Sequence, residues 1–553
     1  MVPSRILAVA LLASACGSRS ERGHSLVLVT LDTTRADVIA GALHDPAHFP
    51  AFASLAERVV GFPRAYTTAP LTLPAHASIL TGLTPPRHGI RDNGLAALAD
   101  EAVTLPEILS GHGYATAAFV SSVVLDRSFG LDQGFDLYDE PSLHLRTGFD
   151  PENERPADAT VARACAWLEE LDRDRPFFLW VHFYDPHLPY EPEPRHLEKA
   201  RGDAYRGEVV QVDAALGRLL ATLERLDLSD DTLLALTADH GESLGEHGEP
   251  THGALCYEAT VRVPFYLCFP GEVPLPGPAH IASVVDLMPT LLGRLGLPVP
   301  AGLDGIDLFR PDNRRDRGVY FESYSGYLYY GWSPLAGWRD PHGKYLHSSK
   351  PELYRLPSDP AEIDDQARVS PEDCAAARAA IAELFSRPAL PPRRSSEDPR
   401  LDAALSALGY ASGSLESGLP GPLEPTDRPD PRSLAGELVP LLGAHTSLAA
   451  GRFEEALALA RRILARNPAH LLALDIQAVS DMELGHFEAA EEALLRRLDG
   501  GPQRADTWLN LGHCRLERGD REGARAAFER ARTLAPTRPE VEQAFARLDV
   551  SDR

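Results

Sequence analysis

Residues 232–258 read TLLALTADHGESLGEHGEPTHGALCYE. An apolar run, Leu233-Leu-Ala-Leu236, stops at Asp239-His240-Gly241-Glu242, and His247, His252 and three further glycines follow closely. A short apolar run bounded by glycines reads as a buried strand. In open α/β sheets the chemistry lies just beyond the carboxyl ends of such strands. An Asp and a His placed together there offer one hard oxygen and one imidazole, the mixture that borderline divalent metals accept. The plainer use of the pair is a capping Asp and a helix-start His beside a glycine turn. The rest of the chain decides against it by supplying further ligands in order.

The same pattern recurs near the N-terminus. Ser25-Leu-Val-Leu-Val-Thr-Leu-Asp32 is a second buried strand that delivers an acid at its C-terminal end, which makes Asp32 the companion of Asp239-His240. Asp37 reads as a solvated helix-start acid, and residues 49–60 carry helical apolar spacing. In Thr72-Leu-Pro-Ala-His76 the proline follows a hydroxyl by two places, and the run 75–81 predicts a helix. Thr72 is thereby placed at a helix N-terminus, where N–H groups and the dipole favour anions. A threonine N-cap is the ordinary alternative.

With these segments in hand, the chain resembles the sulfatase branch of the alkaline phosphatase superfamily over about residues 25–370. The resemblance rests on TLDTTRAD (30–37), TLPAHASILTGLTPPRHG (72–89), VHFYDPHLPY (181–190), DHGESLGEHG (239–248), RVPF (262–265) and ELYRLPSDPAE (352–362). It implies a doubly wound α/β domain with a smaller C-terminal sheet subdomain at about 316–386, where alternating aromatics from Tyr320 to Tyr345 suggest antiparallel strands. It also implies a divalent metal ion (Zn, Mn, Ca or Mg) held by Asp32, Asp239, His240 and Thr72, with Thr72 as the nucleophile. Asn93 falls where related enzymes place an amide on the ester's oxyanion. His187 falls at a histidine near the leaving group.

Three departures qualify that implication. Sulfatases oxidise a Cys or Ser to formylglycine within C/S-x-P-x-R, whereas here Thr72 and His76 hold the first and last places. Threonine is a secondary alcohol whose oxidation gives a ketone, so the geminal-diol route is closed and direct attack by the hydroxyl is the alternative. Residues 112–122 lack the basic signature that grips sulfate. Finally, His252 stands where a lysine is common. It either grips the ester as a cation or joins Asp185 and His187 in a second metal site.

The chain of 553 residues is too long for one core. Its formal charge of −26 argues against nucleic acid or anionic lipid as the main partner. Residues 1–15 have the layout of a secretory signal, and Cys16 follows the small residues as in a bacterial lipoprotein signal. The expected site of action is the cell envelope, with membrane contact only through a lipid on Cys16. Residues 387–432 are rich in Pro, Ser and Gly, with one helical piece at 401–408, and read as a linker that separates the C-terminal region from the site. Beyond it a period of 34 aligns Gly451, Gly485 and Gly519, then Ala456, Ala490 and Ala524, then Pro468, Pro502 and Pro536. This is the tetratricopeptide pattern of paired helices, which binds protein or peptide partners.

The expected domains are therefore a signal and tether (1–24), a catalytic domain (25–386), a linker (387–432) and a repeat domain (433–553). The expected function is metal-dependent hydrolysis of a small anionic ester, phosphate before sulfate. A group transferase and an inactive scaffold carrying the repeats are the alternatives.

Overall fold

The computed structural model describes residues 24–550, except 143–153, 271–280, 314–316, 394–397, 399, 402–403, 406–417, 501–502 and 537. Cys16 and the signal lie outside the described residues. Thirteen strands are assigned among them. They are β1 (Ser25–Leu31), β2 (Val59–Gly61), β3 (Ala65–Tyr66), β4 (Ala115–Phe119), β5 (Leu137–Asp139), β6 (Phe177–Phe183), β7 (Thr232–Ala238), β8 (Phe265–Cys268), β9 (Ala282–Ser283), β10 (Val319–Ser323), β11 (Leu335–Asp340), β12 (Gly343–His347) and β13 (Glu352–Tyr354).

Seven strands form the central sheet in the order β2-β8-β7-β1-β6-β4-β5. From β7 to β5 every pairing is parallel, while β8 and β2 join antiparallel at one edge. Every residue of β1, β6 and β7 is buried, as expected of strands covered by helices on both faces. The two strands read from the sequence are adjacent, with Leu31 level with Ala238. Parallel pairing in that register brings Asp32 and Asp239 out side by side at one edge.

The helical expectation for residues 49–60 is corrected. The helix covers only Pro50–Leu55, and the chain then enters β2. Asp213, from the long helix Ala204–Arg225, accepts from the Phe52 N–H at 2.8 Å and caps the short helix in a way local spacing does not reveal.

β10 to β13 form the smaller antiparallel sheet. The helix Pro371–Phe385 covers one of its faces, burying Ile381 and Leu384 against Tyr320 and Tyr345. The aromatic run after β10 is not all strand, since Ser325–Tyr329 is a short helix.

The expected linker is corrected as well. Leu401 and Leu405 belong to the main core. The Tyr324 hydroxyl donates to the Pro420 carbonyl at 2.8 Å, and the Ser333 N–H donates to the Pro429 carbonyl at 2.9 Å. These described residues pack against the catalytic unit, because their apolar and carbonyl groups find partners there.

The C-terminal region is all helical among the described residues: Leu438–Ala449, Phe453–Leu464, Leu471–Glu483, Phe487–Gly500, Ala505–Glu517, Arg521–Leu534 and Pro539–Val550. Gly451, Gly485 and Gly519 sit in the turns with φ of 70°, 78° and 83°, a conformation glycine adopts without strain. Ala456, Ala490 and Ala524 are fully buried where helices cross. The pairing is compatible with the 34-residue period.

Candidate active site

Asp32 and Asp239 leave β1 and β7 at the carboxyl edge, and His240 follows at once. His240 Nε2 lies 3.5 Å from Asp239 Oδ2 and 3.7 Å from Asp32 Oδ1, at ion-pair rather than hydrogen-bond distance. Both Asp32 oxygens and Asp239 Oδ2 are buried without a hydrogen-bond partner. Burial pushes the Asp32 carboxyl up to about 7, and it raises Asp239 too, with the Asp32 charge adding to the effect. Anionic oxygens gathered out of water are costly unless a cation joins them. Two carboxylates and an imidazole, with ligand atoms within 4.8 Å of one another, fit a divalent metal.

The imidazole is oriented for that task. The His240 Nδ1–H donates to the Gly241 carbonyl at 3.0 Å, which leaves the Nε2 lone pair facing the carboxylates. The other Asp239 oxygen accepts from the His240 N–H at 2.7 Å. Gly241 is required here, because a Cβ would fall 2.1 Å from the Ala259 carbonyl.

Thr72 opens the helix Thr72–Thr81, as the sequence predicts. Its hydroxyl lies 3.5 Å from His240 Nε2. The His76 Nδ1–H donates to the Thr72 carbonyl at 2.8 Å, while His76 Nε2 accepts from the Thr30 hydroxyl at 3.0 Å. Both nitrogens of His76 are thus committed, and burial lowers its pKa to about 3. His76 is a neutral brace beneath Thr72. Asn93 Oδ1 accepts from the Leu73 N–H at 2.9 Å, and its Nδ2 is buried without a partner. That geometry brings a spare amide donor beside Thr72.

His187, His252 and His240 stand in a row, with ring centroids 5.1 and 4.5 Å apart. The His187 Nδ1–H points at the Leu188 carbonyl, 2.7 Å away, with the Tyr184 hydroxyl at 2.6 Å. His252 Nδ1 pairs with Glu242 at 3.0 Å, and Glu242 accepts from the Tyr190 hydroxyl at 2.9 Å. Burial lowers His252 to about 4 and His187 well below its usual range, so both rings are neutral.

The place given to Asp185 beside His187 and His252 is corrected. One of its oxygens accepts from the Ala157 N–H at 2.7 Å and the other from the Gln211 amide at 2.8 Å. It caps the helix Ala157–Glu170, and its oxygens are spent on the scaffold. His247 also lies apart, stacked on Tyr257 at 3.6 Å.

Two residues escaped the sequence reading. His182, within β6, accepts from the Ser121 N–H at 3.3 Å through Nδ1. Its proton is therefore on Nε2, 3.5 Å from Asp32 Oδ2. Although His76, His182 and Asp239 lie close enough to hold an ion, this wiring turns an N–H of His182 rather than a lone pair towards Asp32, at ion-pair rather than hydrogen-bond distance. The available signal was a lone histidine in an apolar strand, which more often is a satisfied core residue. Glu154 is the second: it is buried near Asp32, with Oε1 unpartnered and its carboxyl raised by burial.

Residues 24–297 match the family profile described as Sulfatase. The chain is 26% identical over 340 residues to the ulvan-active sulfatase of Formosa agariphila, covering 53% of this chain and 66% of that protein. It is 28% identical over 352 residues to human arylsulfatase A, covering 54% and 69%. It thus spans about two thirds of each relative. Among solved structures, a protein in complex with D-glucosamine-2-N,6-O-disulfate superposes with TM-score 0.56 at 19% identity, covering 66% of this chain and 98% of that one. The phosphonate monoester hydrolase of Agrobacterium radiobacter superposes with TM-score 0.53 at 21% identity, covering 65% and 95%. At these identities the structural likeness establishes the fold.

Proposed function

The chain carries a sulfatase-family domain, an ester-hydrolase fold of the alkaline phosphatase superfamily, over residues 24–297, and from that premise we propose that it is a metal-dependent hydrolase of phosphate esters with Thr72 as the nucleophile. The observation that carries this reading is the threonine itself. It occupies the start of the site helix with its hydroxyl 3.5 Å from His240 Nε2, and it has no route to an aldehyde.

A divalent cation held by Asp32, Asp239 and His240 would lower the pKa of the Thr72 hydroxyl and offset charge on the ester oxygens. Thr72 Oγ1 forms the bond to phosphorus as the bond to the leaving alcohol breaks. Thr72 gives its proton to water, and His187, whose Nδ1–H is committed to the Leu188 carbonyl, uses Nε2 to take a proton from water and pass it to the leaving oxygen. Asn93 Nδ2 donates to a non-bridging oxygen whose charge grows in the transition state. His76 holds the Thr72 backbone, and His182 turns an N–H towards Asp32. Water then cleaves the Thr72 ester and restores the hydroxyl.

Sulfate esters are the second reading, and the names of the relatives favour it. A transferase to an acceptor alcohol would use the same residues. A scaffold without activity is disfavoured by the complete ligand set. We further propose that the C-terminal helices are tetratricopeptide-type repeats for a protein or peptide partner, and that the chain is exported and anchored by a lipid on Cys16.

The test is a panel of 4-nitrophenyl phosphate, bis(4-nitrophenyl) phosphate, a phenylphosphonate ester and 4-nitrophenyl sulfate, each assayed with Zn, Mn, Mg and Ca. Phosphorus esters should be turned over with a higher kcat/KM than the sulfate. The reverse order would install the sulfatase reading.

A further inference from the structure

The loop that carries Asn93 is braced from outside the central sheet. Arg91 pairs with Glu322 of β10 at 2.7 Å, and its guanidinium lies 4.2 Å from the centre of the Tyr324 ring. Asp92 is buried, and the Tyr329 hydroxyl donates to its carboxylate, 2.9 and 2.8 Å from the two oxygens. The two residues before Asn93 are therefore held by β10 or by the segment just after it.

That segment is in turn covered by the C-terminal helices. Leu472 packs with Tyr324, Leu328 and Tyr329. The Asn467 amide donates to the Tyr330 carbonyl at 2.9 Å, and the Tyr330 ring lies 5.3 Å from His470. At Gly331 a Cβ would come within 2.5 Å of the Ala469 carbonyl, so the two backbones meet there. Arg504, at the N-terminus of the helix Ala505–Glu517, is partly buried and points its guanidinium at Asp506, 3.5 Å away.

We infer that the C-terminal helices form a supporting wall of the catalytic cleft, and that Tyr329 and Leu472 are positioning residues for ester hydrolysis. Leu472 backs Tyr329, Tyr329 holds Asp92, Asp92 fixes the turn after it, and Asn93 Nδ2 keeps its aim at the ester oxygen beside Thr72. The Asn93 side chain is anchored locally only through Oδ1, so its donor follows any shift of the loop. This inference rests on the reading of Asn93 as the donor to the charged ester oxygen. It makes the helical region a working part of the enzyme as well as a surface for partners.

The experiment compares full-length Tyr329→Phe, Leu472→Ala, their double variant and Asn93→Ala, with Leu495→Ser at an exposed position of the helices as control. Turnover of bis(4-nitrophenyl) phosphate and 4-nitrophenyl sulfate is measured at saturating metal, with metal content and Tm recorded for each protein. Displacing a donor by a fraction of an ångström should lower kcat on the order of tenfold in Tyr329→Phe and in Leu472→Ala, with KM within about twofold. Metal content should be unchanged, the double variant should lose no more than the worse single, and Leu495→Ser should match the parent. A role confined to stability would lower Tm and leave kcat per folded molecule intact, which overturns the inference. If Asn93→Ala is impaired while Tyr329→Phe is not, only the bracing falls. If Asn93→Ala retains full activity, the reading of Asn93 falls and takes the inference with it.

Discussion

Thr72 Oγ1 and His240 Nε2 lie 3.5 Å apart, though 168 residues separate them in the chain. The hydroxyl is carried by the first residue of a helix and the imidazole by the end of a buried strand. His240 Nδ1 is tied to a carbonyl, so the ring presents a lone pair, not a proton, to Thr72 and the two carboxylates. Under the proposed function, this relationship would let threonine serve as the nucleophile without chemical maturation.

Replacing Thr72 tests that directly. Thr72→Ala should lower kcat on the order of 10³-fold or more because covalent catalysis is lost, and Thr72→Ser should keep much of the activity. Mass spectrometry of enzyme quenched during turnover of a phosphodiester should find a phosphoryl group on the peptide containing residue 72. An unmodified peptide together with an active Thr72→Ala variant would rule the mechanism out.

Asp239→Asn should remove metal and activity together while the fold survives. Asp239 Oδ2 is one of the unpartnered buried oxygens, so losing its charge weakens the cation site and also relieves repulsion with Asp32. Atomic absorption should find sub-stoichiometric metal. In the parent, added metal should raise Tm with the logarithm of its excess, since binding to the native state alone is stabilising. Full metal content in Asp239→Asn would remove this residue from the ligand set.

His76→Ala should cost stability and rate together. The substitution removes a second donor from the Thr72 carbonyl and leaves the Thr30 hydroxyl without its acceptor, worth about 1–3 kcal/mol for a buried unsatisfied group. Urea unfolding should show the loss, and kcat should fall because the residue under the nucleophile has lost its brace. A variant with parental stability would mean that His76 is not holding Thr72.

Glu249 offers a pH test away from the metal ligands. It is buried, and its carboxylate accepts from the Ala254 and Leu255 N–H groups at 2.8 and 3.1 Å. Burial pushes it up to about 8 from 4.5. A carboxyl raised in the folded state contributes stability that is full below pH 4.5 and is lost as pH rises towards 8, because the unfolded chain ionises first. Glu249→Gln keeps an acceptor and cannot ionise. Its Tm relative to the parent should therefore climb between pH 5 and 8. A pH-independent difference would contradict the assignment.

Removing residues 433–553 should destabilise the catalytic unit. Ala435 and Leu438 share a buried cluster with Tyr66, Trp332 and Tyr354, and the deletion would uncover the aromatic rings of residues 324–332. A lower Tm and self-association in light scattering are expected, since large exposed apolar patches seek new partners. A monomeric truncated protein with parental Tm would show that the contact is dispensable.

Much of this molecule was legible in one dimension. The two buried strands ending in Asp32 and Asp239, the helix beginning at Thr72 and the period of 34 in the C-terminal region are local patterns of burial and backbone conformation. Such patterns repeat along the chain at the spacing of the elements themselves. The motifs carrying Asn93, His187 and His252 were readable by resemblance. Tertiary structure alone decided which polar atoms remain free. Asp185 looks like a ligand in Asp185-Pro-His187, yet Ala157 and Gln211 take both its oxygens. His182 looks like a core histidine, yet Ser121 sets its tautomer and turns its proton towards Asp32. Residues 387–432 look like a tether, yet Leu401 and Leu405 sit in the main core, and the helices beyond rest on the loop beside Asn93. Hydrogen-bond capacity is used up by partners dozens to hundreds of residues away, so what a side chain has left for chemistry is a property of the folded neighbourhood rather than of the residue or its motif.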